Sequence, residues 1–334
     1  MKSLPLFVFA ASLATVTLCS AEPSSSNLSY DKELSEFAYP FEVETFEFES
    51  QRQRLEMRYM DIGEESSDRV VVLLHGKNFS GYYWERVAND LQEQGFRVII
   101  PDQIGFGKSS KPEAYQYSFR QLALNTKLLL ESLDVEKTCL VGHSMGGMIA
   151  TTFAADFPGM LDKLILVNPI GLESYAKYVD FKDTNFFYEN ELNKTVEKAR
   201  DYQKKNYYDG NWSDAYEELL KPLKGQLAGD DWEIVAWNNA LTYGPIFSES
   251  VVERFPLIKT PTYLIIGTRD TTGPGRDWKK EGVTRKLGDY SQLGKQAQSL
   301  IEGSQLFELE GLGHMPQYED YAAFKEVFDK ALED

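Results

Sequence analysis

The sequence predicts an α/β protein, in which a mostly parallel central sheet carries helices on both faces and one helical segment is inserted. Two observations support this prediction. Short apolar runs without alternation, typical of strands buried on both faces, recur along the chain and are separated by segments of helical periodicity. This rhythm is interrupted once, by a stretch of roughly ninety residues that is too long for an ordinary connection.

The first 21 residues have the pattern of a secretory signal. Lys2 precedes an apolar run over residues 4–18, and small residues follow up to Ala21, as signal-peptide cleavage requires. The run is shorter than the roughly 20 residues of a membrane-spanning helix. We therefore predict a signal peptide over residues 1–21, export to the periplasm or the medium, and no membrane span in the mature chain.

The sheet begins after a lead segment over residues 22–40. Residues 41–49 and 54–60 alternate apolar and polar side chains, which predicts an opening hairpin with one exposed face. The buried strand-like runs that follow are residues 70–74, 97–100, 138–141, 164–167 and 262–266, with a shorter one at 306–309. The helical segments between them include residues 83–94, 121–133 and 145–157. Together they predict a core made of residues 41–170 and 256–334.

The insertion, residues 171–255, has no good buried strand and is dense in aromatic side chains. A helical subdomain that covers one edge of the sheet explains both its length and its composition. Because aromatic residues at helical spacing usually form core, any one of them is better interpreted as packing than as a substrate contact.

Composition excludes some classes of partner. The chain has 334 residues with 35 Lys and Arg against 52 Asp and Glu, a formal net charge of −17. This charge excludes a nucleic-acid partner and discourages strongly anionic substrates. After removal of the signal only Cys139 remains, so an intrachain disulfide is impossible, and its apolar neighbours indicate a buried hydrophobe.

The residues Gly142-His143-Ser144-Met145-Gly146 match the G-x-S-x-G pattern, in which a serine occupies a tight strand-to-helix turn. A predicted buried strand ends at Val141, and a helical segment rich in small residues follows. The two flanking glycines remove side chains that would clash at such a turn. Ser144 is therefore predicted to project at the carboxyl edge of the sheet, where open α/β folds bind ligands.

A serine hydroxyl needs a base, and imidazole has a suitable pKa. Of the three histidines, His143 adjoins the serine and is expected to point elsewhere, and His75 is better placed to shape a loop. This elimination leaves His314, on a glycine-rich loop near the end of the chain. Asp270, which directly follows a predicted strand, is the expected acid partner of His314. Asp277 is its nearest competitor but lies further into the loop.

The tetrahedral oxyanion of acyl transfer needs two backbone N–H donors. One donor is the amide of Met145, the residue after the serine. The other is the amide of Lys77, in the loop after the third strand, with the amide of Asn78 as the alternative. Only the Lys77 amide is assigned a role, because its side chain can also be interpreted as a solvated surface charge.

With these residues in place, the chain from about residue 70 to 331 resembles an α/β-hydrolase-fold enzyme. The order Ser144, Asp270, His314 is the order of that superfamily. Residues 101–109 resemble a loop shared by haloalkane dehalogenases, epoxide hydrolases, haloperoxidase-like esterases and lactonases. The resemblance implies that the insertion is a helical cap over the site. Asp102 and the glycines of this loop are of the residue types that favour turns, so we interpret them as serving turn geometry and not chemistry.

The resemblance also bears on the reaction. Dehalogenases and epoxide hydrolases have an aspartate where this chain has Ser144, so serine favours acyl transfer. We predict a serine hydrolase of carboxylic esters or lactones that works through an acyl-enzyme and needs neither cofactor nor metal. Its partner is a small-molecule substrate, which the aromatic cap suggests is medium-sized and largely apolar. Two alternatives remain, a carbon-carbon bond hydrolase of ring-fission diketones and a non-catalytic binding module; the oligomeric state is left open.

Overall fold

The computed structural model describes residues 28–333, so the predicted signal peptide, residues 1–21, lies outside the described residues. Eight strands form one sheet in the order β1-β2-β4-β3-β5-β6-β7-β8. Their bounds are β1 Glu44–Ser50, β2 Gln53–Ile62, β3 Val70–Leu74, β4 Arg97–Pro101, β5 Thr138–His143, β6 Leu161–Val167, β7 Thr262–Gly267 and β8 Gln305–Leu309.

The directions of the strands follow the sequence patterns. The alternating strands β1 and β2 form an antiparallel hairpin, and β2 is also antiparallel to β4. From β4 through β3 and onward to β8 every neighbouring pair is parallel. All residues of β3, β4, β5 and β7 are buried, which explains their unbroken apolar runs. The predicted fold class, with its mostly parallel sheet, is confirmed.

The helices cover both faces of this sheet. Alternate residues of the central strands enter two separate hydrophobic clusters, so that Val72 and Leu74 belong to one and Val71 and Leu73 to the other. The helices of the core are α1 Glu85–Glu93, α2 Phe119–Ser132, α3 Met145–Asp156, α10 Tyr290–Leu300, α11 Pro316–Glu319 and α12 Tyr321–Glu333. Helices α2, α3 and α10 contribute to the first cluster, and α1 and α12 to the second.

The insertion between β6 and β7, residues 171–255, is helical as predicted, and we call it the cap. Its helices are α4 Tyr175–Tyr178, α5 Thr184–Leu192, α6 Val196–Asn206, α7 Asp214–Glu218, α8 Lys221–Ala228 and α9 Trp232–Ser248. Aromatic stacking joins α5 to α9, since the Phe187 ring lies 4.4 Å from that of Tyr243 and 5.6 Å from that of Phe247, measured between ring centroids. Across residues 28–333, no helix is both long and apolar enough to cross a bilayer.

The end of the lead segment, residues 28–40, runs against both the cap and the core, and we call it the strap. The Ser29 hydroxyl donates to the Ala228 carbonyl at 3.2 Å, and the Tyr30 amide donates to the Gly225 carbonyl at 2.9 Å. At the other end of the strap, the Tyr39 hydroxyl donates to Asp102 Oδ2 at 2.6 Å. The strap thus connects α8 of the cap with the loop after β4.

That loop has the geometry that the sequence suggested. Asp102 accepts hydrogen bonds from the amides of Gly81, at 2.6 Å, and Lys108, at 2.7 Å. Gly107 has a positive φ of 51°, and a Cβ there would lie 2.0 Å from Asp102 Oδ2. Asp102 therefore organises a turn.

Candidate active site

Ser144 stands between β5 and α3, at the carboxyl edge of the sheet. Its backbone has φ 56° and ψ −118°, a conformation that ordinary residues seldom adopt. The turn is possible because a Cβ at Gly142 would lie 2.4 Å from the Gly146 carbonyl oxygen, and one at Gly146 would lie 2.4 Å from the Leu74 carbonyl oxygen. Close approach of three backbone segments thus explains both glycines of the motif.

The structure brings the three predicted side chains together. His314 Nε2 lies 2.9 Å from Ser144 Oγ, and His314 Nδ1 lies 2.6 Å from Asp270 Oδ2. Ser144 is 7% exposed, whereas His314 and Asp270 are each 1% exposed. The competitor Asp277 lies further along the same loop and is exposed. The arrangement can pass a proton from the hydroxyl to the imidazole and stabilise the resulting imidazolium.

Asp270 is held as a carboxylate in a buried position. Its Oδ1 accepts the Thr272 amide at 2.7 Å. Burial favours the neutral acid, but the charge of His314 and the hydrogen bonds from His314 and Thr272 outweigh it and lower the pKa of Asp270. The ionised form required to stabilise an imidazolium is therefore the favoured one.

Asn168 is a site residue that the sequence reasoning missed. Asn168 is an amide and cannot serve as the acid, but its Nδ2 donates to Asp270 Oδ2 at 2.9 Å and its Oδ1 accepts the Gly267 amide at 2.9 Å. The available signal was position: Asn168 directly follows β6, and Asp270 lies just after the neighbouring parallel strand β7.

The two other histidines do not contact Ser144 Oγ. His75 Nδ1 donates to the Gly76 carbonyl and His75 Nε2 accepts the Gln103 amide, so this residue shapes a loop as expected. The ring of His143 points away from the serine hydroxyl, and burial lowers the pKa of His143 to about 3, with a further contribution from His314.

His143 instead joins three loops of the site. The Gly76 amide donates to the Tyr83 hydroxyl at 3.1 Å, and that hydroxyl donates to His143 Nδ1 at 2.9 Å. At the other side of the ring, His143 Nε2 donates to the carbonyl of His314 at 2.8 Å. A neutral His143 with its proton on Nε2 therefore ties the loop after β3 and the loop of His314 to the serine turn.

The segments that carry the predicted oxyanion donors adjoin Ser144. A Cβ at Gly76 would lie 3.0 Å from Ser144 Cβ, so the loop that continues into Lys77 runs directly against the serine. Within residues 28–333 the amides of Met145, Lys77 and Asn78 donate to no acceptor. All three N–H groups are therefore available, and the choice between Lys77 and Asn78 stays open.

The interpretation of the Lys77 side chain as a solvated surface charge is wrong. Lys77 is 8% exposed, because α9 of the cap covers it. Its Nζ donates to Asn239 Oδ1 at 3.0 Å and lies 4.0 Å from the centre of the Tyr243 ring. Nothing in the local sequence of Lys77 indicates this cover, since Asn239 is 162 residues away along the chain.

Ser144 opens into a cavity of about 620 Å³ between the core and the cap. This is a usual size for a small-molecule site. Its apolar walls include Phe79, Phe106, Ile170, Tyr243, Ile246 and Phe247.

Comparison with known proteins bears on the fold and the family of the chain. A family model described as alpha/beta hydrolase fold matches residues 69–321. The solved structure of a probable hydrolytic enzyme from Pseudomonas aeruginosa is 41% identical, has a TM-score of 0.88, and covers 92% of this chain and 99% of its own. An esterase from Exiguobacterium antarcticum, 21% identical with a TM-score of 0.64 over 84% of this chain and 96% of its own, shares the fold. A proline iminopeptidase from Lactobacillus helveticus is 27% identical over 78% of this chain and 88% of its own length.

Proposed function

The chain belongs to the α/β-hydrolase fold family, and from that premise we propose that it hydrolyses carboxylic esters or lactones through an acyl-enzyme on Ser144. The observation that carries the proposal is the continuous hydrogen-bonded series from Ser144 Oγ to His314 at 2.9 Å and from His314 to Asp270 at 2.6 Å. This series stands at the edge of a cavity of suitable size for a small ester.

The reaction that these residues support has two halves. Ser144 Oγ attacks the carbonyl carbon while His314 Nε2 takes its proton, and the oxyanion accepts hydrogen bonds from the amide of Met145 and from that of Lys77 or Asn78. His314 then gives the proton to the leaving alkoxide, and the acyl group stays on Ser144. In the second half water attacks the acyl-enzyme, His314 takes the water proton and returns it to Ser144, and the carboxylic acid leaves.

The test is the initial rate of hydrolysis of p-nitrophenyl esters of graded chain length by the wild type and by Ser144→Ala. We expect wild-type turnover and a loss of at least ~10³-fold in kcat for the variant, because removal of the nucleophile leaves only the oxyanion donors and binding. Thermal unfolding of both proteins checks that Ser144→Ala is folded. Equal rates of ester hydrolysis by the wild type and by Ser144→Ala would contradict the proposal.

Covalent labelling by an organophosphorus inhibitor separates the alternatives. An activated serine reacts, whereas a non-catalytic binding module stays unlabelled. Labelling without turnover of any ester or lactone would point to the other serine reaction, hydrolysis of ring-fission diketones, and would contradict the ester assignment.

We also propose that the protein is exported after cleavage of residues 1–21. The support is the sequence pattern at the N-terminus. N-terminal sequencing of the protein from fractionated cells tests it, and a chain that keeps its first 21 residues would contradict it.

A further inference from the structure

A buried ammonium group faces the cavity beside the candidate nucleophile. Lys77 and Ser144 both line the cavity. The side chain of Lys77 extends from the loop after β3 to α9, where its Nζ contacts Asn239 Oδ1 and the face of the Tyr243 ring. Aromatic rings attract a cation through their electron-rich faces. These contacts position the ammonium group, but both partners are uncharged.

Lys77 forms no direct ion pair in the part of the chain that the structure describes, and the carboxylate that attracts it, Glu191, is already paired with another lysine. Of the three N–H donors of Lys77 Nζ, one is used, by Asn239. The nearby carboxylate of Glu191 pairs with Lys194 and accepts the Tyr243 hydroxyl at 3.3 Å. Two ammonium groups, those of Lys77 and Lys194, therefore share the single charge of Glu191. Lys77 is a buried cation that is compensated only in part and whose remaining donors have no acceptor.

The rest of the cavity is also cationic. Its lining includes six Lys or Arg residues and two carboxylates, Asp201 and Asp277, although the whole chain has a formal net charge of −17. A second cavity of about 410 Å³ adjoins it through Lys205 and Arg276, and its lining adds Lys279 and Lys286. An acidic protein thus concentrates positive charge in the lining of the cavity that contains Ser144, and such a lining attracts an anionic ligand.

We propose that Lys77 is the specificity residue for a carboxylate carried by the substrate, so that the preferred substrate is an ester or lactone with one carboxylate on its acyl or alcohol part. The inference rests on the proposed function and names the substrate class of the same site. One ammonium group with free donors balances one negative charge. The aromatic walls hold the apolar chain between the carboxylate and the scissile bond.

The test compares charged and neutral esters of equal length. Mono-p-nitrophenyl adipate is paired with p-nitrophenyl hexanoate, and 4-carboxyphenyl hexanoate with 4-carbamoylphenyl hexanoate, at pH 6 and low ionic strength. We expect the wild type to have at least a tenfold higher kcat/KM for the anionic member of one pair. Lys77→Met should reduce that ratio at least tenfold, and Lys77→Arg should keep most of it.

Lys204→Met is the matched control, because Lys204 is an exposed lysine of α6 in the cap that lines neither of the two cavities. For this control variant, the ratio of kcat/KM for the anionic ester to kcat/KM for the neutral ester should stay within threefold of the wild-type ratio. The inference is overturned if the wild type prefers the neutral ester in both pairs, or if the preference survives in Lys77→Met. Because the ratio compares two substrates of one enzyme, a general loss of catalysis cancels from it.

A binding experiment decides the inference if no ester is turned over. Monomethyl suberate and dimethyl suberate are titrated calorimetrically into Ser144→Ala and into Ser144→Ala/Lys77→Met. Tighter binding of the monoanion by the first protein, lost at least tenfold in the second, supports the carboxylate site even when the hydrolase proposal fails. Equal or undetectable binding of the monoanion by both proteins overturns it.

Discussion

At the scale of single residues, Lys77 shows how a site can cost stability. Burial lowers the pKa of the Lys77 ammonium to about 7, although the charge of Glu191 raises it, and Lys194 lowers it further. The ammonium group has its ordinary pKa in the unfolded chain, and in the folded protein it loses its proton more readily. Folding must therefore either bury a poorly compensated cation or release its proton.

We expect Lys77→Met to be more stable than the wild type at pH 6, by about 1–4 kcal/mol. The sign follows from linkage: below pH 7 the lysine is charged in both states and the full cost of burial applies. Between pH 7 and the ordinary lysine pKa near ~10.4 the unfolded chain binds more protons, so wild-type stability rises with pH and the advantage of the variant shrinks. Thermal unfolding at pH 6 and pH 9.5 measures this, and a variant less stable at pH 6 would contradict it.

The same variant separates function from structure. If Lys77 served folding, its replacement would make the protein less stable. If Lys77 serves substrate binding, its replacement makes the protein more stable and the enzyme less selective for the anionic ester. Tyr243 remains neutral here, since burial raises its pKa well above the ordinary value, so it does not compensate the ammonium with a charge.

At the scale of elements, the serine turn depends on the separation between α3 and β3. The first turn of α3 approaches the end of β3 so closely that a Cβ at Gly146 would lie 2.4 Å from the Leu74 carbonyl oxygen and 2.9 Å from that of His75. The backbone of β3 cannot move aside without a large cost in free energy, because β3 is buried between β4 and β5.

We expect Gly146→Ala to lower the stability by at least ~2 kcal/mol and to reduce activity, because α3 must shift away from Ser144. Gly159→Ala is the control, since a Cβ at this exposed glycine meets nothing within 4 Å. Thermal unfolding and p-nitrophenyl ester hydrolysis measure both effects. Gly146→Ala with the stability of Gly159→Ala would show that the close approach is unimportant.

The strands and the serine turn could be predicted because their signals are local. The residues of β3 were identified in full, since a strand buried on both faces is an unbroken apolar run, and Ser144 was identified from its own neighbours in sequence. The contacts of the Lys77 side chain could not be predicted, because its partner Asn239 is 162 residues away. The role of Asn168 depends on Asp270, 102 residues away, and its one signal in the sequence was its position directly after β6. Helicity of the cap was predictable, but not that α9 would cover Lys77.

At the scale of the whole molecule, net charge proved a poor guide to the charge of the cavity. The formal charge of −17 led us to expect that anionic substrates are discouraged, yet cations outnumber carboxylates around Ser144. Net charge sums over the surface, whereas a cavity responds to the few side chains that line it. The acidic exterior and the cationic interior belong to different parts of the same fold.

The strap joins the parts of the molecule, and its Tyr39 offers a test. We expect Tyr39→Phe to lower the stability by about 1–2 kcal/mol, because Asp102 Oδ2 and the Ser80 hydroxyl both lose their hydrogen bond to the Tyr39 hydroxyl. Tyr188→Phe is the control, since its hydroxyl makes no hydrogen bond within residues 28–333. Equal unfolding temperatures for the two variants would contradict a stabilising role for the strap.

The strap also imposes an order on biosynthesis. Ser29 is synthesised early, but its hydrogen-bond partner Ala228 follows 199 residues later. The partner of the Lys32 amide, Asp231, also follows 199 residues after it. At about 5–20 residues per second, the nascent strap stays without these partners for roughly 10–40 s. The hydrogen bonds between the strap and the cap cannot all form until translation has passed Asp231. A chain arrested earlier lacks them even if its first strands have already paired.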